Sequence, residues 1–355
     1  MLIILAMIKL AIIGTGGMAH THATEYSKIK GVKLVAACDV LADKAREYAA
    51  KFAIPHAFDD VGKMLETCDI DAVSIVAPDK FHSPLALQVI AAGKHVLCEK
   101  PLATCHADAV KMAEAAKKAG VINMVNFSYR NSSALQHLAK RVQAGDLGKI
   151  FHVQAHYLQS WLVGKDWGDW KTSPGWLWRL STEHGSKGVL GDIGVHILDF
   201  ASFPVGKIAS VNCLLKTFDK APENKVGEYK LDANDTAIIT VNYEGGAVGA
   251  VQTTRLATGF HNSLLLQIHG EKGVFKIELD KSYGEYEQCL LLKDGKSGPW
   301  EPVKAPATPN MYERFIKSIK KGVNDQPDFD RGAAIQQALD ACELSNKTGK
   351  TVVLK

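Results

Sequence analysis

The segment Ile8-Lys9-Leu10-Ala11-Ile12-Ile13-Gly14-Thr15-Gly16-Gly17-Met18-Ala19 joins a short apolar run directly to a glycine-rich turn. The run reads as a buried β-strand and the residues after the turn as the start of a helix. In a strand-turn-helix of this kind Gly14 permits the tight turn, Gly16 lets a pyrophosphate approach the backbone, and the small Ala19 lets helix and strand pack closely. Gly17 and Met18 open the helix, whose free N–H groups and positive dipole end suit phosphates. Asp39 ends the next apolar run, 20 residues beyond Ala19, where a carboxylate accepts hydrogen bonds from an adenosine ribose. The plainer alternative is a structural glycine turn beside a solvated aspartate. The coincidence of both features favours a dinucleotide, and Asp39 favours NAD over NADP because a carboxylate repels a 2′-phosphate. Val40-Leu41-Ala42 follow it, with no arginine to offset that repulsion.

Outward from this segment the same rhythm continues. Apolar runs at 10–13, 34–38, 72–76, 95–98 and 121–125 alternate with helical segments at 42–52, 85–92 and 107–119. Near-continuous apolar strands are expected where helices cover both faces of a parallel sheet. Gly93 and Gly120 stand where helix C-caps belong. Beyond about residue 147 the pattern changes to a Trp-rich, Gly-rich stretch and a helix candidate at 189–200. Period-two strands follow at 237–243, 248–255, 264–269 and 274–279, with a further apolar run at 289–292. The fold class is therefore α/β: an N-terminal doubly wound parallel sheet over 7–127. A C-terminal α+β domain with a large, mostly antiparallel open sheet follows over 128–355. Two helical segments at 311–321 and 333–346 close the chain and are candidates to pack back on the first domain.

Composition narrows the function classes. The 355 residues are 46% hydrophobic and 23% charged, which excludes intrinsic disorder. Lys and Arg exceed Asp and Glu by 42 to 38, too small a surplus for nucleic acid or an anionic membrane as main partner. Seven scattered cysteines without a Cys-x-x-Cys pair point to no disulfide framework or zinc site, and to a reducing, cytoplasmic setting. Residues 1–6 lack the basic n-region of a signal peptide and read as an extension upstream of Met7 as the natural start.

Two further constellations carry chemistry. Cys98-Glu99-Lys100-Pro101 closes a later strand, and ligands of open α/β sheets bind at such carboxyl ends. Lys100 there reads either as a substrate-facing cation or as a solvated loop charge. In Gly191-Asp192-Ile193-Gly194-Val195-His196-Ile197-Leu198-Asp199, Asp192 and His196 lie four apart on one helical face, near Asp199, while Val189, Ile193, Ile197 and Phe200 form the core stripe. Gly188, Gly191 and Gly194 weaken that helix, which makes sense if something approaches its backbone. The alternative is a surface ion pair. His152 and His156 share a strand face without a third ligand, so no metal is expected. His20 and His22 read as helix-surface residues, and Trp176 and Trp178 as either core or a sugar-stacking wall.

Taken in order, the glycine turn, Asp39, Ala77-Pro78-Asp79-Lys80-Phe81-His82, Glu99-Lys100-Pro101 and Gly191-Asp192-Ile193-Gly194-Val195-His196 resemble the glucose-fructose oxidoreductase / inositol dehydrogenase (Gfo/Idh/MocA) family over essentially the whole chain. Ala77-Pro78-Asp79 stands where that family carries Thr-Pro-Asn. The resemblance implies a Rossmann domain, a C-terminal domain whose open sheet mediates homodimer or homotetramer formation, and an NAD cofactor. It puts Pro78, His82, Glu99 and Lys100 on the cofactor side and implies Lys100, Asp192 and His196 as catalytic residues. Its substrates are sugars, cyclitols and related polyols, for which Trp176 and Arg179 offer a polar, aromatic wall. An imidazole titrating near neutrality makes His196 the natural general base. Lys100, expected to reach the same oxygen, would stabilise the developing alkoxide. The competing readings are a redox-assisted glycosidase that keeps its NAD and a non-enzymatic dinucleotide-sensing regulator. The second would not need Lys100, Asp192 and His196 together.

Overall fold

The computed structural model describes residues 7–354, so the proposed upstream extension lies outside the described residues. The chain forms two compact units, Met1–Ser128 with Pro309–Gln336 and Tyr129–Thr308 with Gln337–Lys355. Among the described residues no helix is long and apolar enough to cross a membrane.

In the first unit six strands, β1 (Ile8–Ile13), β2 (Val32–Cys38), β3 (His56–Phe58), β4 (Ala72–Ile75), β5 (His95–Cys98) and β6 (Asn123–Val125), pair in the order β3-β2-β1-β4-β5-β6. All the pairings are parallel. Helices α1 (Gly17–Ser27), α2 (Ala42–Lys51), α3 (Val61–Thr67), α4 (His82–Ala91) and α5 (His106–Ala119) connect them. Leu10, Ala11 and Ile12 of β1 are completely buried, as a strand covered on both faces requires. The strand order reverses between β1 and β4, and ligands of such sheets bind at this switch point. Gly14 turns the chain there with φ +88°, and a Cβ on it would sit 2.6 Å from the Val76 carbonyl oxygen, so no other residue fits. The helix Met311–Lys321 starts at an Asn310/Glu313 capping box and buries Met311, Tyr312, Phe315 and Ile316 in the same core as Leu10 and Tyr26.

The second unit holds helices α6 (Ser133–Gln143), α7 (Pro174–Leu177) and α8 (Val195–Val205). Its strands are β7 (Ile150–Gln159), β8 (Ile208–Lys216), β9 (Lys225–Val226), β10 (Tyr229–Lys230), β11 (Thr236–Tyr243), β12 (Val248–Thr254), β13 (Asn262–Gly270), β14 (Gly273–Glu278), β15 (Glu285–Leu290), β16 (Glu301–Lys304) and β17 (Val352–Val353). Nine of them make one sheet in the order β16-β15-β14-β13-β7-β12-β11-β8-β17, while β9 and β10 form a separate ribbon. Within the sheet β7 and β12 run parallel and the other neighbours antiparallel. Along β11 Ala237, Ile239, Val241 and Tyr243 are buried while Ile238, Thr240 and Asn242 face outward, the period-two alternation of a sheet with one covered face. The uncovered face carries exposed apolar side chains, Leu214 paired with Ile238 and Val248 beyond them. The Trp-rich stretch is a small core of its own, with Trp161, Leu162, Trp170, Leu177 and Leu180 packed with Leu231 and the β9–β10 ribbon.

The helix expected at 189–200 differs in detail. Leu190–Gly194 forms a π-helical turn, in which the Val195 N–H reaches the Leu190 carbonyl, and regular α-helix continues through Val205. Val189, Ile193, Ile197 and Phe200 are buried as the stripe predicts, but so are His196 and Asp199. The segment is enclosed nearly all round.

Candidate active site

At the switch point of the first unit, Asp39 Oδ2 accepts from the Thr15 amide (2.9 Å) and hydroxyl (2.8 Å), and Oδ1 accepts from the Leu41 amide (3.0 Å). Burial opposes its charge, but these bonds to Leu41 and Thr15, with Lys44 nearby, hold the carboxyl below its usual range. Asp39 thus pins the glycine turn to the end of β2. Three accepted bonds leave part of a carboxylate's capacity of about four for a ribose hydroxyl. Beside it, Cβ positions on Gly16 and Gly17 would meet no atom within 4 Å, so the first turn of α1 faces open space. Met18 is half exposed there. An open helix N-terminus next to an ionised acceptor fits a dinucleotide.

The next loop is braced from inside. Pro78 caps the short turn Asp79–Phe81. His82, expected on the cofactor side, is fully buried, with Nδ1 2.7 Å from the Pro101 carbonyl and Nε2 2.8 Å from that of Ala77. Its side chain ties this loop to the Glu-Lys-Pro turn. The Glu99 side chain also points inward: Oε1 lies 2.8 Å from His22 Nε2 and accepts from Asn126 Nδ2 at 2.6 Å, and Oε2 accepts from the Lys100 amide at 3.2 Å. Lys100 follows at the carboxyl end of β5, half-buried.

In the second unit Asp192 lies in the π-helical turn, and its Oδ2 accepts from Arg255 Nη2 at 2.9 Å. Arg255 is completely buried over the Trp161 ring, and also donates to the Arg179 carbonyl at 3.1 Å. Burial pulls its pKa down, and Asp192 opposes that shift. Arg179 stands over Trp176 and Trp178, 5.3 and 4.7 Å from the ring centroids, with Nε 3.9 Å from Asp192. Trp176 stacks on Trp161, whereas Trp178 is exposed. The expected Trp-Arg wall is therefore a partly closed stack with Asp192 at its side. His196, buried four residues on, packs edge-to-face with Tyr129 at 4.9 Å. The Tyr129 hydroxyl meets that of Tyr157, which donates to Asn262 Oδ1 at 2.8 Å; Gln159 donates to the same oxygen at 2.9 Å. Asn262 lines an open depression with Phe260, His261, Asp280 and Tyr283. The pair is not on an open surface: Asp192 is held by a buried arginine and His196 is enclosed against a tyrosine.

The glycines of this turn have an internal reason. A Cβ on Gly188 would lie 2.4 Å from the Asn234 side chain, and one on Gly191 would lie 2.3 Å from Lys187. What approaches the backbone is the protein itself. Asn234 uses that access, accepting from the Leu190 amide at 3.0 Å. Asp199, expected near the site, is committed to a bidentate ion pair with Arg130, at 2.7 and 2.8 Å.

His22 is corrected most sharply. It is not on the helix surface but fully buried, because Ala19, His22, Ala23 and Tyr26 form the inner stripe of α1. His20 keeps partial exposure against Tyr48 and Phe52. His152 on β7 faces His269 on the adjacent β13, at 5.8 Å between ring centroids, while His156 packs near Phe260. Arg255, Tyr129, Tyr157 and Asn262 were not singled out from the sequence. They sit far along the chain from the residues they serve, and only tertiary pairing brings them together.

Comparison with known proteins places the chain. The model described as "Oxidoreductase family, NAD-binding Rossmann fold" matches residues 8–127, and the GFO/IDH/MocA C-terminal domain matches 135–276. The chain belongs to the Gfo/Idh/MocA family of NAD-binding oxidoreductases. It is 30% identical over 296 residues to levoglucosan dehydrogenase of Pseudarthrobacter phenanthrenivorans, covering 76% of this chain and 74% of that one. It is 28% identical over 362 residues to D-glucoside 3-dehydrogenase of Escherichia coli, covering 98% and 97%. A solved levoglucosan dehydrogenase in complex with NADH and L-sorbose superposes with a TM-score of 0.86 at 26% identity, covering 98% of this chain and 99% of that chain.

Proposed function

We propose that this protein is an NAD-dependent dehydrogenase of a secondary hydroxyl on a sugar, cyclitol or related polyol, with Lys100, Asp192 and His196 as its catalytic residues. The observation that carries the reading is the Asp192–Arg255 pair. A wholly buried guanidinium holds the carboxylate in one orientation, which preorganises this side chain for a polar substrate. Relatives named for levoglucosan and D-glucosides support a carbohydrate substrate. The bound nicotinamide supplies the two-electron acceptor for the oxidation. His196 takes the hydroxyl proton, Lys100 donates to the oxygen as negative charge grows on it, and Asp192 holds a neighbouring hydroxyl. Trp176 and Arg179 flank the sugar. The test is a panel of levoglucosan, methyl glucosides, free hexoses and myo-inositol, assayed with NAD for net NADH formation. No turnover on any polyol would overturn it.

NAD is expected to be preferred over NADP by at least about tenfold in kcat/KM, since a charge-assisted hydrogen bond from the 2′-hydroxyl is worth about 1.5–3 kcal/mol. Asp39→Ser with Val40→Arg should relax or reverse the preference. Equal kcat/KM for both cofactors in the unmodified enzyme would remove the role given to Asp39.

The exposed apolar row on the uncovered sheet face supports a homodimer or homotetramer. Light scattering at micromolar concentration is expected to give a multiple of the chain mass, and Ile238→Lys with Leu214→Lys to shift it toward the monomer. A monomeric wild type would refute this.

A further inference from the structure

One buried histidine in the first unit has no part in the roles above. His22 is completely inaccessible, yet it bridges two neighbouring strands: Nδ1 lies 2.7 Å from Ser74 Oγ in β4 and Nε2 lies 2.8 Å from Glu99 Oε1 at the end of β5. Asn126, just past β6, donates to the same Glu99 oxygen at 2.6 Å and reaches Tyr312 Oη at 3.3 Å. Tyr26 and Tyr312 close the network from the helix side, edge-on to the His22 ring. A carboxylate against Nε2 requires that nitrogen to carry a proton, which it donates to Glu99. The other Glu99 oxygen accepts from the Lys100 amide. Burial alone would protonate Glu99. The hydrogen bond and charge of His22, with Asn126 and the Lys100 ammonium, instead hold its pKa at about 2. A buried polar pair of this kind is poor evidence for stability, since apolar residues of similar volume do as well. This one sits where α1, which opens at the glycine turn, meets the strand end that presents Lys100.

We propose that His22 is a positioning residue for the oxidation: acting through Glu99, it fixes the Lys100 peptide and with it the direction in which the lysine leaves the strand end. The inference rests on the catalytic role proposed for Lys100.

The test uses His22→Leu, which removes both bonds at similar volume, and His22→Gln, which restores a donor toward Glu99. Carbon-13 NMR of the Glu99 carboxyl in the cofactor-free protein is the first readout. Wild type is expected to titrate at about pH 2, His22→Leu at least about a unit higher, and His22→Gln close to wild type. The second readout is single-turnover oxidation of the polyol used fastest in the panel. His22→Leu should slow it about 10- to 100-fold, as loss of precise positioning does, with NAD affinity within about threefold of wild type. In a Lys100→Met background the same substitution should cost less than about threefold, because groups acting as a unit are non-additive. A wild-type rate in His22→Leu overturns the inference. So does an equal loss in the Lys100→Met background, which marks general loosening. If His22→Leu does not fold, Glu99→Gln decides: a comparable loss supports the role and a wild-type rate refutes it. Lys100→Met at wild-type speed overturns the catalytic reading and this inference with it. Slow Lys100→Met beside fast His22→Leu overturns this inference alone.

Discussion

Replacing His196 with alanine is expected to lower the single-turnover rate by about 10²–10⁴ while leaving NAD affinity nearly unchanged, the range over which a positioned general base contributes. The expectation follows from its surroundings. The ring is enclosed and held edge-on by Tyr129, so its direction is set before substrate arrives. It lies on α8, within the segment whose π-helical turn holds Asp192 against Arg255. The NAD-binding Rossmann fold, residues 8–127, belongs to the other unit, so NAD affinity should survive the substitution. Single-turnover rates and NAD titration across about pH 6 to 9 separate the two effects. Wild-type rates over that interval would show that the proton leaves by another route.

The second large effect concerns stability. Arg130 and Asp199 are both almost wholly buried, and the guanidinium also stacks on Phe203 with its carbon 3.4 Å from the ring centroid. Removing one charge strands the other in a low-dielectric interior, so Asp199→Leu is expected to cost about 3–5 kcal/mol. Replacing both partners, Arg130→Met with Asp199→Leu, removes the stranded charge and should recover most of that loss. Calorimetry or urea unfolding of the two variants measures it. A single variant as stable as wild type would mean that water reaches the pair. The pair anchors α8 to the turn that carries Tyr129, so the two predictions share one structural origin.

Much of this was legible in the sequence, for identifiable reasons. The parallel sheet announced itself because strands buried on both faces must be apolar throughout, and Gly14 because its close approach to Val76 excludes every side chain. The buried place of His22 was also written there: Ala19, His22, Ala23 and Tyr26 recur at the i, i+3, i+4, i+7 spacing of an inward stripe. A histidine by its polarity reads as surface, but its place in the stripe decides, and the ring is buried. Arg255 was beyond reach of any local pattern, since its partner Asp192 lies 63 residues away. Asp199 looked like part of the site because helical spacing puts it near His196; only the fold shows that Arg130 claims it. The glycines at 188 and 191 signalled a close approach correctly, but not that Lys187 and Asn234 make it.

The π-helical turn at Leu190–Gly194 is, in effect, one residue more than a regular helix would hold. Each residue advances a helix by about 100°, so deleting one here would turn the Asp192 end of the segment by that angle relative to the His196 end. The result would be a smoother helix, pointing its carboxylate away from Arg255. Homologues lacking that residue must therefore orient the carboxylate by other means, and in an alignment the gap itself would separate two ways of building the same site.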